Sequence, residues 1–511
     1  MPSNPIRNHK NSTISLANSL KGSEVYHWLM EFGYFPESYV LPPCYRVAKR
    51  PEKQKKFYNY KAKKFDVPTS EIIGIHFPKS EYTDRDFGLI HPKIHNDIAY
   101  HISRNWKTIT KALVPSDSIV TSYSFPVPID AKHPGRVGQL RSGRMIYEFI
   151  GMVDNDIASI AYRYRHLVKA DIKNFYPSIY THSIAWAIHG KKTVRKKENL
   201  RNFNLLGNRL DRLFQRANDG CTNGVPVGPV VSDIAAEIIA GAVDRTLSKS
   251  IKKDGIDCEI IRFKDDYRIL VQTEEDGRRV VKKLQAALKE FSLEINEKKT
   301  SIHSLPEGLF RDWKSKYHMI YPKKRNKFTW KQFRELYLAV LKIDEECPDT
   351  GVIDRFLADI TKKGGALKFD VWEFNLQKLI SMLLMLATRR TKAFPKVLAI
   401  IEQILRSPFG FLHQQEIVHY LEKYLQSLSI EEERNKYLIC WISYFLVSNK
   451  LKPLLSITPK FKDPITQSVY SNQSMIFKDA KEFKLFMGCV SVGKSVSMLE
   501  HLEVFSPPKT I

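Results

Sequence analysis

The hydrophobic pattern changes period once along the chain, and that change limits the folds open to it. From about residue 120 to 305, short β-branched or aromatic runs alternate with amphipathic stretches, as in a mixed α+β domain. After about 330 every segment has helical spacing: WKQFRELYLAVLKI, VWEFNLQKLISMLLMLA, FPKVLAIIEQILRS, QQEIVHYLEKYLQSL and NKYLICWISYFLV, separated by short polar or Pro-containing turns. An all-α region therefore follows an α+β region, and the succession of helices is consistent with an α-solenoid, although no strict repeat occurs. At 511 residues the chain exceeds one ordinary core. Three parts are expected: an N-terminal arm and basic segment at 1–65, an α+β body at 66–310 and helices at 311–511.

Charge narrows the partners. With 81 Lys and Arg against 55 acidic residues, a net +26 suits a polyanion, of which nucleic acid is the leading case. In the first part, WLMEFGYFPESYVLPPCYRV is broken by Pro36, Pro42 and Pro43 and reads as an arm or docking loop. The basic stretch after it interleaves Lys55, Lys56 and Lys64 with Phe57, Tyr58 and Tyr60, a pattern that can bind phosphates while stacking bases. The start lacks the apolar core of a signal peptide and no long apolar run occurs, so a cytoplasmic protein with no membrane partner is expected. Six dispersed cysteines without a CxxC pair indicate neither a zinc site nor a disulfide framework.

Chemistry concentrates in three segments. LVKADIKNFYPSI reads as a buried strand ending in Asp171. EIIRFKDDYRILV reads as a hairpin with Asp265 and Asp266 at its turn, and between them GVPVGPVVSDIAAEIIAGAVDRTL is a Gly/Pro loop entering a helix. Separately these are a helix cap, an Asp-rich turn and a loop junction. Together, carboxylates from two strand ends are what a two-metal phosphoryl-transfer site needs, because magnesium takes hard oxygen ligands. A further helix is clear, with Thr273 and Asp276 at its start and Val280, Val281, Leu284, Leu288 and Phe291 as its core stripe.

In this order and spacing the three segments resemble motifs A, B and C of the reverse-transcriptase palm. Asp171 matches the motif A aspartate, GVPVGPVVS the motif B loop, and FKDD stands where the family usually has YADD or YVDD, with Phe263 replacing Tyr and Lys264 a small residue. The resemblance implies right-hand fingers and palm. It also implies two Mg2+ ions held by Asp171, the Ile172 backbone carbonyl, Asp265 and Asp266, with Asp171 and Asp265 bridging. It places Tyr176, five residues beyond Asp171, as the aromatic that excludes a ribose 2′-hydroxyl. Gly228 would then lie near the nucleotide, and Lys298 or Lys299 of LEINEKKTSIH would act as general acid on pyrophosphate. Within AKHPGRVGQLRSGR, Lys132 and Arg136 and, preferentially, Arg141 and Arg144 would hold the triphosphate, while Lys264 would touch template or primer.

FYPSIYTHSIAWAIHGKK, LDRLFQRANDGCTNGVPVGP and GYFPESYVLPP look like bacterial defence-associated reverse transcriptases, including abortive-infection types, over residues 25 to 305. That likeness implies an α-helical repeat domain in place of a thumb, a homo-oligomer, dNTP substrates and a DNA product, and a bound structured noncoding RNA as template. The enzymatic alternative is a template-independent polymerase primed by a tyrosine of the protein. The alternative from another class is a non-catalytic RNA-binding scaffold. Absence of a Cys-rich endonuclease disfavours an intron enzyme, the long helical C-terminus a retron type, and Tyr176 an RNA polymerase. GCVSVGKS, residues 488–495, satisfies a phosphate-loop pattern, but too few residues follow for a nucleotide-binding domain. His91, His95 and His101 lack completing ligands, and His182 and His189 read as helix packing.

Overall fold

The computed structural model describes residues 4–47, 56–78, 83–124, 143–322, 327–489 and 498–502. The first helix, α1 (Pro5–Ser19), starts where Asn4 accepts from the Ile6 amide at 3.0 Å, with proline at its first turn. Its buried positions are few and half of them are polar: Ile6, His9, Thr13 and Ala17. Tertiary contacts hold it, because His9 stacks on Tyr123 at 3.8 Å and the Trp106 indole donates to the Ala17 carbonyl at 2.8 Å. After α2 (Gly22–Glu31), the Pro-broken segment docks inside the chain itself. Tyr34 donates to the Ile90 carbonyl (2.7 Å), Tyr45 to that of Ile465 (2.8 Å), and Tyr437 to that of Tyr39 (2.6 Å).

Two small hairpins follow, β1 (Tyr58–Asn59) with β2 (Lys64–Phe65), and β3 (Ile73–Pro78) with β4 (Asp84–Leu89). Helices α3 (Pro92–Arg104) and α4 (Trp106–Leu113) lead to β5 (Val120–Ser122), α5 (Gly143–Ile160) and β6 (His166–Asp171). Next come α6 (Phe175–Ser178), α7 (His182–His189), α8 (Lys191–Val194), α9 (Leu206–Ala217) and α10 (Val230–Asp254). The body closes with β7 (Cys258–Phe263), β8 (Asp266–Val271), α11 (Glu274–Glu290) and β9 (Ser301–Ser304). One five-stranded sheet results, in the order β5-β7-β8-β6-β9, with only β5 and β7 parallel.

Period-two alternation gives the sheet its two faces. Val168 and Val271 face α11, where Gly277 lies so close to Val168 that an added Cβ would sit 3.0 Å from its Cγ2. Leu167, Ile261 and Leu270 face the other way, against Val153 and Ile157 of α5. Helix α10 carries few polar side chains along its first turns, Ser232, Asp233 and Glu237, and most of it is buried. Thr273 caps α11, accepting from the Asp276 amide at 3.0 Å.

Beyond residue 311 the described regular elements are helical: α12 (Asp312–Ile320), α13 (Trp330–Glu346), α14 (Val352–Asp359), α15 (Glu373–Arg389), α16 (Phe394–Leu405), α17 (Pro408–Leu412), α18 (Gln414–Ser429), α19 (Glu432–Ser448), α20 (Pro464–Ser471) and α21 (Leu499–Leu502). Each of the five apolar stripes is one of these helices. A single apolar cluster runs from Ala17 through the sheet-covering helices into α13–α20, so the first and last parts of the chain share a core. Among the described residues no helix is long and apolar enough to cross a membrane.

Candidate active site

The β6 and β8 register places Asp171 directly opposite Asp266, and the pairing of Phe263 with Asp266 leaves Lys264 and Asp265 as a two-residue turn between β7 and β8. Lys264 takes a left-handed backbone, φ 56°, at a position where glycine or asparagine is usual for such turns. Buried Arg262 braces that turn by donating to the Lys264 carbonyl at 3.0 Å. The end of β6 is tied to the same turn, because the amide of buried Ile172 donates to the Asp265 carbonyl at 3.1 Å.

Asp171 is only 5% exposed. Its Oδ1 accepts from Asn296 Nδ2 and its Oδ2 from Lys299 Nζ, both at 3.0 Å, while its carbonyl accepts from the Asn296 amide at 2.7 Å. Of the two lysines of LEINEKKTSIH expected as general acid, Lys299 is the one placed on the carboxylates. Burial opposes its charge, but the bond to Asp171 and the neighbouring carboxylates raise its pKa. Desolvation and then the charge on Asp171 raise the half-buried Asp265 carboxyl, and at Asp266, which is exposed at the edge of the site, partial desolvation followed by repulsion from Asp265 and Asp171 pushes the pKa up to about 7. Among the described residues no three His, Cys, Asp or Glu side chains close into a metal cage. The arrangement is an open set of mutually repelling hard oxygens with a lysine ammonium on one of them, and its donor chemistry suits magnesium.

A pH dependence follows. Because the folded pKa of Asp266 lies above its ordinary 3.8, this carboxyl is more readily protonated in the folded than in the unfolded chain between about pH 4 and 7. Its own contribution to the stability of the metal-free protein is therefore expected to fall as pH rises through that window, against the opposite contribution of the buried His9, His101 and His501, whose pKa values burial lowers, and added divalent cation should offset the Asp266 loss. Urea melts of the parent and of Asp266→Asn at pH 5 and pH 8, each in EDTA and in magnesium chloride, isolate that contribution. The same change in stability between the two pH values for both proteins in EDTA would exclude the crowding.

Tyr176 is anchored, since its hydroxyl donates to Asp233 Oδ1 at 2.6 Å in the first turn of α10. Gly228 has φ 124°, and a Cβ there would lie 3.0 Å from Pro36 Cβ and 3.5 Å from Phe87. The close approach that this glycine permits is thus to the N-terminal segment and to β4, whose Gly88 amide donates to the Val227 carbonyl at 2.9 Å. Lys56 and Lys64 are exposed, with the Lys56 ammonium 3.5 Å from the Tyr100 ring centroid. Lys55, Lys132, Arg136 and Arg141 lie outside the described residues, as do the Arg144 side chain and most of the GCVSVGKS segment. His91 meets Asp479 at 3.1 Å, His95 bonds the Leu29 carbonyl at 3.0 Å, His182 pairs with Asp211 at 2.5 Å, and His189 accepts from the Gly207 amide at 3.0 Å, so these histidines serve packing.

Three contributors are absent from the motif reading. Asn296 and Asp233 orient Asp171 and Tyr176, and neither stands out in the sequence. The third is a fully buried set behind the turn. Arg262 donates to Glu237 through both terminal nitrogens at 2.8 Å and to Asp244 through Nε at 2.9 Å. Tyr267 donates to Asp244 at 2.8 Å, and Ser122 to Glu237 at 2.6 Å. Burial disfavours both carboxylates; Arg262 overcomes it at Glu237, whose pKa is lowered, while that of Asp244 is raised. Two acids seven residues apart within the apolar stretch IAAEIIAGAVD were the available signal.

Residues 128–333, less than half of the chain, match the family model described as reverse transcriptase (RNA-dependent DNA polymerase). The match spans the segments that carry Asp171, Gly228, Asp265 and Asp266. Among solved structures, apo telomerase from Candida tropicalis, truncated from its C-terminal domain, is 14% identical over 47% of this chain and 51% of that one, with a TM-score of 0.31. The chain thus spans about half the length of that telomerase chain. Another apo telomerase structure from Candida tropicalis is 12% identical over 82% of this chain and 71% of that one, TM-score 0.33. Telomerase from Candida albicans in complex with a TWJ fragment of telomeric RNA is 13% identical over 78% and 66%, TM-score 0.29. Scores this low transfer no residue's role. No curated protein matches the chain.

Proposed function

We propose that the chain is a cytoplasmic RNA-directed DNA polymerase that copies a bound, structured noncoding RNA, acting as a homo-oligomer in antiphage defence. The observation that carries the polymerase reading is the register of Asp171 against Asp266, with Asp265 in the adjoining turn. Two magnesium ions held by these carboxylates and the Ile172 carbonyl would activate the primer 3′-hydroxyl and offset charge on the leaving pyrophosphate. The chain's own groups do the rest. Asn296 fixes the orientation of Asp171, and Lys299, which lies on Asp171 at 3.0 Å, would supply a proton to the pyrophosphate. Arg141 and Arg144 would grip the triphosphate, Gly228 would border the nucleotide, and Lys55, Lys56, Lys64 and Lys264 would meet nucleic-acid phosphates. Fingers and palm would occupy residues 66–310, and a helical-repeat domain 311–511. The defence role rests on FYPSIYTHSIAWAIHGKK, LDRLFQRANDGCTNGVPVGP and GYFPESYVLPP, which resemble that group.

Tyr176 supports a preference for deoxynucleotides, because its bond to Asp233 holds the ring in one place. Tyr176→Ala is expected to raise ribonucleotide incorporation relative to deoxynucleotide by about tenfold or more, as removing a steric block of 1–3 kcal/mol would. Tyr176→Phe should keep the discrimination, since the ring remains. Primer extension with each nucleotide class decides, and an unchanged ratio in Tyr176→Ala would remove this residue from selectivity.

The reading as a whole is tested by purifying the protein from cells and sequencing its bound nucleic acid before and after protease treatment, alongside magnesium-dependent dNTP incorporation on the recovered RNA. Bound RNA with complementary DNA is expected. DNA released only by protease would replace the RNA-templated reading by the protein-primed one, and RNA without any incorporation would leave a scaffold.

A further inference from the structure

The second basic run of the chain, GKKTVRKKENLRNFN, lies between motifs A and B and has no part in the chemistry above. In the folded chain it meets the first, YNYKAKKF, from more than a hundred residues upstream. Between them opens a pocket of about 590 Å³, lined by Tyr58, Lys63, Lys197, Leu200, Arg201 and Phe203 among others.

Hydrogen bonds and ring contacts tie its walls together. Tyr58 donates to Asn204 Oδ1 at 2.7 Å, joining the two runs. Asn208 holds the loop by donating to the Asn199 and Asn202 carbonyls at 2.8 and 3.0 Å. The buried Arg209 guanidinium lies 5.0 Å from the Tyr58 ring and 5.7 Å from that of Tyr60, and also donates to the Phe203 carbonyl. Phe65 meets Phe203 edge-on at 5.2 Å. Lys63, exposed and in a left-handed backbone at φ 52°, lines the same pocket.

Its charge is unspent. Lys63, Lys197 and Arg201 are exposed, and among the described residues none of them pairs with an acid, while Glu198 is the one acidic residue in the lining. Lys61, Lys64, Lys192, Arg195 and Lys196 extend the positive field on both sides. Leu200, 59% exposed, adds an apolar surface beside Phe203.

We propose that this pocket is an accessory site for single-stranded nucleic acid, distinct from the catalytic carboxylates: one unpaired base enters beside Leu200 and Phe203, and Lys63, Lys197 and Arg201 hold the flanking phosphates. An unpaired strand fits better than a duplex, because the cations ring a concave, partly apolar pocket that stacked, paired bases cannot enter. The size suits one nucleotide, since small-ligand pockets run from about 300 to 1,000 Å³. The site deepens the polymerase reading in naming where a strand outside the cleft is held, but its geometry stands without that reading.

The test uses the full chain and fluorescence anisotropy with a 5′-labelled 20-nucleotide RNA of mixed unstructured sequence, the DNA of the same sequence, and a blunt duplex, each across a salt series. Lys197→Glu with Arg201→Glu should weaken both single strands by about tenfold or more at physiological salt. Lys197→Gln with Arg201→Gln should lower the salt slope by about 1.4, the value for two lost phosphate contacts on a single strand. Duplex binding should change much less. Because both residues are exposed, thermal melts matching the parent protein are expected, and ultraviolet crosslinking of the parent to 4-thiouridine RNA should map to the 197–204 loop. Unchanged single-strand affinity, an equal loss for duplex, or crosslinks confined to other segments would overturn the proposal. The Asp265→Ala, Asp266→Ala protein should still bind the RNA, so failure of the polymerase reading would show as retained incorporation in that variant and failure of the pocket as retained binding in the other.

Discussion

Asp265→Ala combined with Asp266→Ala is expected to abolish magnesium-dependent DNA synthesis and, in the same protein, to raise the melting temperature measured in EDTA at pH 8. The two effects have one cause. The carboxylates are crowded against Asp171, so desolvation and mutual repulsion raise Asp265 and push Asp266 up to about 7, a geometry that disfavours the ionised fold. Strain of this kind persists at sites that need it for function. The loss in rate should reach about a thousandfold or more, the scale seen when an electrostatic element of a transition state is removed. Primer extension and calorimetry on the same sample check both halves. Residual synthesis within tenfold of the parent would refute the metal-ligand assignment, and a lowered melting temperature would refute the crowding. Asp171→Asn should behave differently in stability, because it also removes the ionic partner of Lys299.

Arg262→Met is expected to destabilise the chain by about 3–5 kcal/mol, the range found when one member of a buried charge set is removed and its partners stay. Arg262 is fully buried, and Glu237 and Asp244 converge on it from α10. Without the guanidinium, two carboxylates would remain in an apolar interior, and the Lys264 carbonyl would lose its donor at the turn that carries Asp265. Both the fold and the placement of the carboxylates should suffer. Urea unfolding measures the first. The second is measured as a raised magnesium requirement in whatever folded protein remains. Adding Glu237→Gln and Asp244→Asn to Arg262→Met should restore more than half of the lost stability, since neutral isosteres leave no charge uncompensated. A single variant as stable as the parent would show that α10 and the hairpin are held by apolar packing alone.

The sequence determined on its own what depends on local periodicity and on the identity of chemical groups. The five C-terminal stripes are helices because each carries a continuous apolar face, and the hairpin that carries Asp265 and Asp266 forms because IIRF and YRILV fit a pleat with a two-residue connection, although the connection is Lys264–Asp265 and Asp266 is already paired in β8 rather than in the turn. The three carboxylates were legible for the same reason. Tertiary structure decided what depends on contacts across the chain. The polar segment at 5–19 has too thin an apolar face to announce a helix, and it forms one because Tyr123 and Trp106 receive it. The Pro-broken segment from 32 to 47 is an internal strap, a role set by partners hundreds of residues away, the Ile465 carbonyl that accepts from Tyr45 and the Tyr437 hydroxyl that donates to the Tyr39 carbonyl. Gly228 faces Pro36, Tyr176 is anchored by Asp233, and Lys299 rather than Lys298 meets Asp171. Each of these pairings joins groups whose separation in sequence carries no period. Sequence periodicity reports which face of an element is buried, and only the folded chain supplies the partner on the other side.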